Sequence, residues 1–209
     1  MISIFVIALI SYLLGSIPTS IIVGKVTRGI DIRDYGSGNA GATNAVRVLG
    51  FKAGFIVYIV DIGKGFVAAF FIVKLKIDTI PMDYIYVQII AGVSAVFGHI
   101  WTIFASFKGG KGVGTAAGMA IALAPIPVII ALTVFIALTA LFNYVSLGSL
   151  AGVTVFNIAL FSQKYIFNKN VKDPLLVLAV LMLILIFYTH MSNIKRLLNG
   201  TENKFLEKK

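Results

Sequence analysis

Six apolar runs, at about 2–24, 53–73, 84–106, 113–142, 147–163 and 174–190, alternate along the chain with short polar blocks. Runs of about 20 residues match one helical crossing of a hydrocarbon core. The run at 113–142 is too long for one crossing, and Pro125-Ile126-Pro127 lies near its middle. Two ring-locked residues interrupt the hydrogen-bond ladder there, which predicts a turn between two short helices. The pattern predicts an all-α integral membrane protein with seven transmembrane helices, with no internal repeat and no second domain within residues 1–209.

Charge orients this arrangement. With seven crossings, the blocks at 25–52, 107–112, 143–149 and 191–209 share one side of the membrane. That side carries Lys25, Arg28, Arg33, Arg47, Lys52, Lys108, Lys111, Lys195, Arg196, Lys204, Lys208 and Lys209. The other side carries only Lys74, Lys76, Lys164, Lys169 and Lys172. The positive-inside rule then puts the N-terminus outside, the C-terminus in the cytoplasm and the polar blocks on the cytoplasmic face. Residues 2–24 lack a basic leader and a small-residue cleavage site, so they read as a retained span.

Composition agrees, with 59% hydrophobic and 12% charged residues, too little polar surface for a soluble domain. The net charge of +10 is spread over loops between spans, which argues against nucleic acid and for anionic headgroups or substrates. The chain has no cysteine, which excludes thiol nucleophiles and Cys-ligated zinc. Two distant histidines and few carboxylates offer no metal-binding set, and no cofactor is expected.

Two polar blocks are dense in glycine: Ser37-Gly38-Asn39-Ala40-Gly41-Ala42-Thr43-Asn44 and Phe107-Lys108-Gly109-Gly110-Lys111-Gly112. Backbone amides without side-chain bulk, beside cations, are what phosphate binding requires. Gly36-Ser37-Gly38-Asn39-Ala40-Gly41 formally matches a dinucleotide fingerprint, with Asp61 following at a fitting distance. No strand precedes it, and Asp61 lies in an apolar helix, so the match fails on context. Neither block places Ser or Thr after Gly-Lys, which excludes a Walker A loop. A flexible linker for the first block and a helix-packing glycine stretch for the second are the plainer alternatives.

Other polar residues fall at span boundaries. Arg47 follows Thr43 by about one turn, and His190, Asn193 and Arg196 recur at intervals of three along a helix leaving the membrane, with Glu202 and Lys204 after them. Ser146 and Ser149 provide hydroxyls at another boundary, either as ligands or as helix caps. Asp61 and Lys64 sit three residues apart inside an apolar run, where charges are expensive. They read equally as a structural ion pair or as part of a site.

These blocks, together with Gly15-Ser16-Ile17-Pro18-Thr19-Ser20, Lys64-Gly65, Gly98-His99, Val145-Ser146-Leu147 and Ile194 to Leu197, run in one order over nearly the whole chain. In this the sequence resembles the bacterial acyl-phosphate-dependent glycerol-3-phosphate acyltransferase family, often called PlsY. Trp101-Thr102 departs from the family, which usually has a proline there, and Gly114 replaces a usual alanine.

The resemblance implies a single transmembrane acyltransferase domain over residues 1–209, in the bacterial plasma membrane. It implies transfer of a fatty acyl group from acyl phosphate to glycerol 3-phosphate in phospholipid biosynthesis, giving 1-acyl-glycerol 3-phosphate. By similarity, Ser37, Gly38, Asn39, Gly41, Thr43, Asn44, Gly109, Gly110 and Gly112 are expected to bind acyl phosphate. Arg47, Lys111, Ser146, Ser149, His190 and Asn193 are expected to bind glycerol 3-phosphate, with Lys111, His190, Asn193 and Arg47 catalytic and Asp61, Lys64 and Arg196 supporting. Either His190 or a substrate phosphate takes the acceptor proton. A soluble acyl-phosphate-producing acyltransferase is an expected partner besides the lipid bilayer. The rival from another class is an anion transporter, against which the phosphate-binding elements all crowd one face and no inverted repeat is visible.

Overall fold

The computed structural model describes residues 1–206 and is helical throughout, with no strand among the described residues. Lys208 and Lys209, counted on the basic side, lie outside them. The chain divides into two compact units, Met1–Leu123 and Ala124–Lys209.

The first unit holds α1 (Ile2–Ser16), α2 (Thr19–Arg28), α3 (Ala42–Leu49), α4 (Phe51–Phe70), α5 (Tyr84–Ile100) and α6 (Val113–Leu123). Its packing inverts the soluble rule. The face that α1 buries is Ser3, Ile7, Ser11 and Gly15, while Phe5, Leu9 and Leu13 point outward. Small residues inside and bulky apolar ones outside are what lipid selects, because backbones must approach closely where no hydrophobic drive joins the helices. The α4–α6 contact makes the point sharply. A Cβ added to Gly65 would land on the Thr115 carbonyl oxygen, and one on Gly118 would land on that of Ile62. Either side chain would force these helices apart.

Pro18 breaks the first span between α1 and α2. Proline offers no N–H, and the carbonyls released at the break find partners far away in sequence. Lys64 Nζ donates to Ile17 O at 2.5 Å, and the Thr102 hydroxyl donates to Ser16 O. Irregular backbone at membrane depth is tolerated only with such internal satisfaction. Beyond α2, Arg28 reaches the last turn of α3 and donates to Val48 O at 2.6 Å. Ile21, Ile32, Ala40, Ala42, Ala45 and Val57 form a small core beneath that turn.

The second unit holds α7 (Pro125–Phe142), α8 (Val145–Tyr165), α9 (Asp173–Thr189) and α10 (Met191–Leu198). The expected break in the long apolar run occurs, but at Ala124, ahead of the prolines. Pro125 and Pro127 lie in the first turn of α7, where helix N–H groups have no internal acceptor and their loss is harmless. Of the two helices, α7 has 18 residues and α6 only 11. At about 1.5 Å per residue, α6 extends roughly 16 Å, short of a full hydrocarbon core.

Five helical segments are long and apolar enough to cross a membrane: Ile2–Arg28, Phe51–Lys74, Tyr84–Ala105, Pro125–Phe142 and Val145–Tyr165. The pair α9–α10, bent by 62°, makes a sixth, and α6 is the shorter apolar segment that a seventh crossing requires.

Candidate active site

In the first unit, both glycine blocks border one polar cavity. It is a small cleft lined by Ile17, Pro18, Thr19, Ala40, Asp61, His99, Thr102, Gly109 and Gly110, with room for about one water molecule. Asp61 and Lys64, on α4, are buried, and Lys64 Nζ lies 2.8 Å from Asp61 Oδ1. The Thr19 hydroxyl donates to the same oxygen at 3.2 Å. His99, at the end of α5, is also buried, its Nδ1 3.7 Å from Asp61 Oδ1.

The first block is organised by a side chain expected to bind phosphate. Asn44 is 1% exposed. Its amide donates to Ile32 O and Tyr35 O, both at 3.0 Å, and its Oδ1 accepts the Ser37 N–H at 2.9 Å. Asn44 therefore shapes the loop from inside. Thr43 shares a 2.8 Å hydrogen bond with Tyr58 Oη. Gly41 caps α3, so the block ends at a helix N-terminus, with Ser37 and Gly38 exposed, Asn39 half-buried and Arg47 one turn beyond Thr43. Arg33, also on this stretch, is held by Asp31, whose carboxyl is drawn down to about 2 chiefly by hydrogen bonds from that guanidinium.

In the second block, two amides are engaged within the protein. The Gly109 N–H donates to Ile100 O and the Gly110 N–H to His99 O, each at 3.0 Å. These amides cap the end of α5. Glycine is required because a Cβ at 109 would strike the His99 carbonyl and one at 110 the His99 ring. Beyond them α6 begins, where first-turn N–H groups carry the positive end of the helix dipole, with half-buried Lys111 and the turn residue Gly112 just ahead of it.

In the second unit, Glu202 gathers the polar residues. Its Oε1 accepts from Asn193 Nδ2 at 2.7 Å and from Ser146 Oγ at 3.1 Å, and its Oε2 accepts from Arg196 Nε at 2.8 Å. The segment bearing Glu202 is clamped by Asn143, whose amide donates to Leu206 O at 2.7 Å and accepts the Leu206 N–H at 3.0 Å. The sequence places Glu202 after the His190–Arg196 cluster but does not mark it as the residue that gathers them. Its only signal was being an acidic residue in a basic tail.

His190 lies at the corner between α9 and α10, not on the stripe of α10 that carries Asn193 and Arg196. Its Nδ1 is 2.8 Å from Ile186 O. A carbonyl can only accept, so Nδ1 bears the proton and, in the neutral ring, Nε2 holds the lone pair. Ser149 donates to Val145 O at 2.9 Å within α8 and keeps acceptor capacity.

Comparison with known proteins is consistent with this arrangement. The profile of the family described as Glycerol-3-phosphate acyltransferase matches residues 5–200. A glycerol-3-phosphate acyltransferase of Chlorobaculum tepidum is 44% identical, covering 98% of this chain and 97% of the relative. One of Chlorobium phaeobacteroides is 46% identical with the same coverage. The crystal structure of PlsY, an integral membrane glycerol 3-phosphate acyltransferase, in its glycerol 3-phosphate form, superposes with a TM-score of 0.85 at 36% identity, covering 98% of this chain and 96% of that one. Its lysophosphatidic acid form gives 0.82.

Proposed function

The chain belongs to the glycerol-3-phosphate acyltransferase family, and from that premise we propose that it transfers a fatty acyl group from acyl phosphate to glycerol 3-phosphate. The products are 1-acyl-glycerol 3-phosphate and inorganic phosphate. The observation that carries this reading is that Ala40 of the first glycine block and Gly109 and Gly110 of the second meet at one small cleft beside Asp61 and His99, each block running into a helix N-terminus. Residues 1–209 act together as one acyltransferase domain of the bacterial plasma membrane, with the polar blocks facing the cytoplasm.

The chemistry is a substitution at an acyl carbon. The acceptor hydroxyl oxygen bonds to the carbonyl carbon, and the bond from that carbon to the phosphate oxygen breaks. The leaving phosphate is stable, so no strong acid is needed. The main task is to hold two anions together against their repulsion. Lys111, the start of α6 with Gly112, and the loop of Ser37, Gly38, Asn39, Gly41 and Thr43 hold the acyl phosphate. Arg47, Lys111, Ser146, Ser149, His190 and Asn193 hold glycerol 3-phosphate. A substrate phosphate takes the hydroxyl proton, with His190 chiefly a ligand through Nε2. A soluble enzyme that makes acyl phosphate is the proposed supplier.

Acyl phosphate, and not acyl-coenzyme A, is the proposed donor. The residue five positions after His99 is Phe104 and after His190 is Lys195, so the chain lacks a His-x4-Asp base pair that would activate the acceptor against a thioester. Purified protein given glycerol 3-phosphate and each donor separately should make lysophosphatidic acid from acyl phosphate alone. Product from acyl-coenzyme A and none from acyl phosphate would sink this donor assignment.

The orientation has its own test. Since the chain has no cysteine, single cysteines at the exposed positions Lys108, Asn168 and Asn199 report their side by labelling with an impermeant thiol reagent. Positions 108 and 199 should label from the cytoplasm and 168 from outside; labelling of 108 and 199 from opposite faces would refute seven crossings.

A further inference from the structure

The segment that joins α5 to the second glycine block turns its hydrogen bonds inward and its apolar side chains outward. Thr102 O accepts from the Ala105 N–H at 3.2 Å and the Phe107 N–H at 2.8 Å, and Ala105 O accepts from the Lys108 N–H at 3.1 Å. Tyr12 Oη donates to Trp101 O at 2.7 Å and the Arg33 guanidinium to Ala105 O at 3.0 Å. The loop is thus fastened to its own unit by its backbone. Meanwhile Trp101, Ile103, Phe104 and Phe107 are 40%, 49%, 60% and 58% exposed. A loop in water would show the opposite pattern.

The backbone adds a second observation. Ser106 and Phe107 have φ of 56° and 59°, a left-handed region that strains residues bearing a Cβ and is unusual for an aromatic. Glycine would sit there without strain. The chain instead holds a phenylalanine outward.

A third observation identifies what covers it. Phe97 lies on α5, part of the span-length apolar segment Tyr84–Ala105, and is itself exposed. Its ring meets Trp101 edge-on, with centroids 5.3 Å apart. The aromatic edge therefore continues the lipid-facing side of a spanning helix. Exposed Lys108 follows it, as suits anionic headgroups. Tryptophan and its neighbours favour this boundary between acyl chains and headgroups.

We propose that residues 101–107 form an interfacial anchor, with Trp101, Ile103, Phe104 and Phe107 seated in the bilayer boundary. The anchor fixes the adjoining Lys108–Gly112 block at the depth of lipid phosphates, where a membrane-dissolved acyl phosphate presents its headgroup. Only this last step rests on the donor reading above.

Trp101 is the only tryptophan, so intrinsic fluorescence reports the loop directly. The full chain is reconstituted in phosphatidylcholine–phosphatidylglycerol vesicles whose acyl chains carry bromine near either the headgroup or the methyl end. Shallow bromines should quench Trp101 more than deep ones, and aqueous iodide should quench it weakly. Strong iodide quenching without bromine quenching would overturn the anchor, whether the loop is then bare or serves a soluble protein. In the second arm, Phe104→Ser is combined with Phe107→Asn, since asparagine keeps the left-handed backbone. KM for a long-chain acyl phosphate in vesicles should rise about tenfold with kcat nearly unchanged, because apolar area at the interface is lost. KM for a short, water-soluble acyl phosphate should not change. Unchanged KM for both donors would overturn the positioning role. Wild-type protein inactive with every acyl phosphate would refute the donor reading, and the quenching pattern would still decide the anchor.

Discussion

Lys111→Ala is expected to lower turnover by about 10²- to 10³-fold, the loss seen when one preorganised group is removed from developing charge in a water-poor site. Lys111 stands between Gly110 and Gly112 at the entry to α6 and is half-buried. The amides of Gly109 and Gly110 are already bonded to Ile100 O and His99 O, so on the proposed reading the lysine carries a larger part of phosphate binding than a loop of open amides would leave to it. Both proposed substrates are anions, and removing this cation should restore their repulsion where they meet. The variant should fold, because Lys111 lies at a helix entry and outside the α4–α6 contact of Gly65 and Gly118. Lysophosphatidic acid formation at saturating substrate measures the effect, with the thermal midpoint in detergent as the folding control. Activity within about tenfold of wild type, against that range, would remove Lys111 from the chemistry.

Hydropathy made the spans legible, and residue type made the glycine blocks conspicuous, because both signals are local. What escaped depends on direction and on partners distant in sequence. Glycine density says that backbone can come close to something, and at Gly109 and Gly110 that includes the end of α5. Asn44 looks like a ligand by type, yet its amide is closed upon Ile32, Tyr35 and Ser37. Glu202 gave almost no signal, since its meaning lies in reaching Ser146, 56 positions away. The prolines at 125 and 127 correctly announced a break and misplaced it by one step, because proline is most comfortable just inside a helix. Even spacing at 190, 193 and 196 implied one stripe, but the 62° bend falls at His190 and takes it off α10.

The second large effect concerns the charges at Asp61 and Lys64, for which sequence left two readings open. Their partners favour the structural one. Lys64 Nζ is shared between Asp61 and the Ile17 carbonyl released at the Pro18 break, and Thr19, the first residue after that break, donates to Asp61. The pair thereby fixes one wall of the cavity. With side chains only 2% and 6% exposed, Lys64→Met leaves a buried carboxylate and a buried carbonyl without their cation. Removing one partner of such a pair costs about 3–5 kcal/mol, so the variant should lose most of its thermal stability in detergent and its activity with it. Asp61→Asn combined with Lys64→Met removes both charges, and the new amide can serve Thr19 and Ile17. A structural pair requires the double variant to regain more than half of the lost stability and, with it, activity. Recovery of stability with turnover still abolished would assign the pair to the chemistry, and a Lys64→Met protein as stable as wild type would show that it does not hold the break at all.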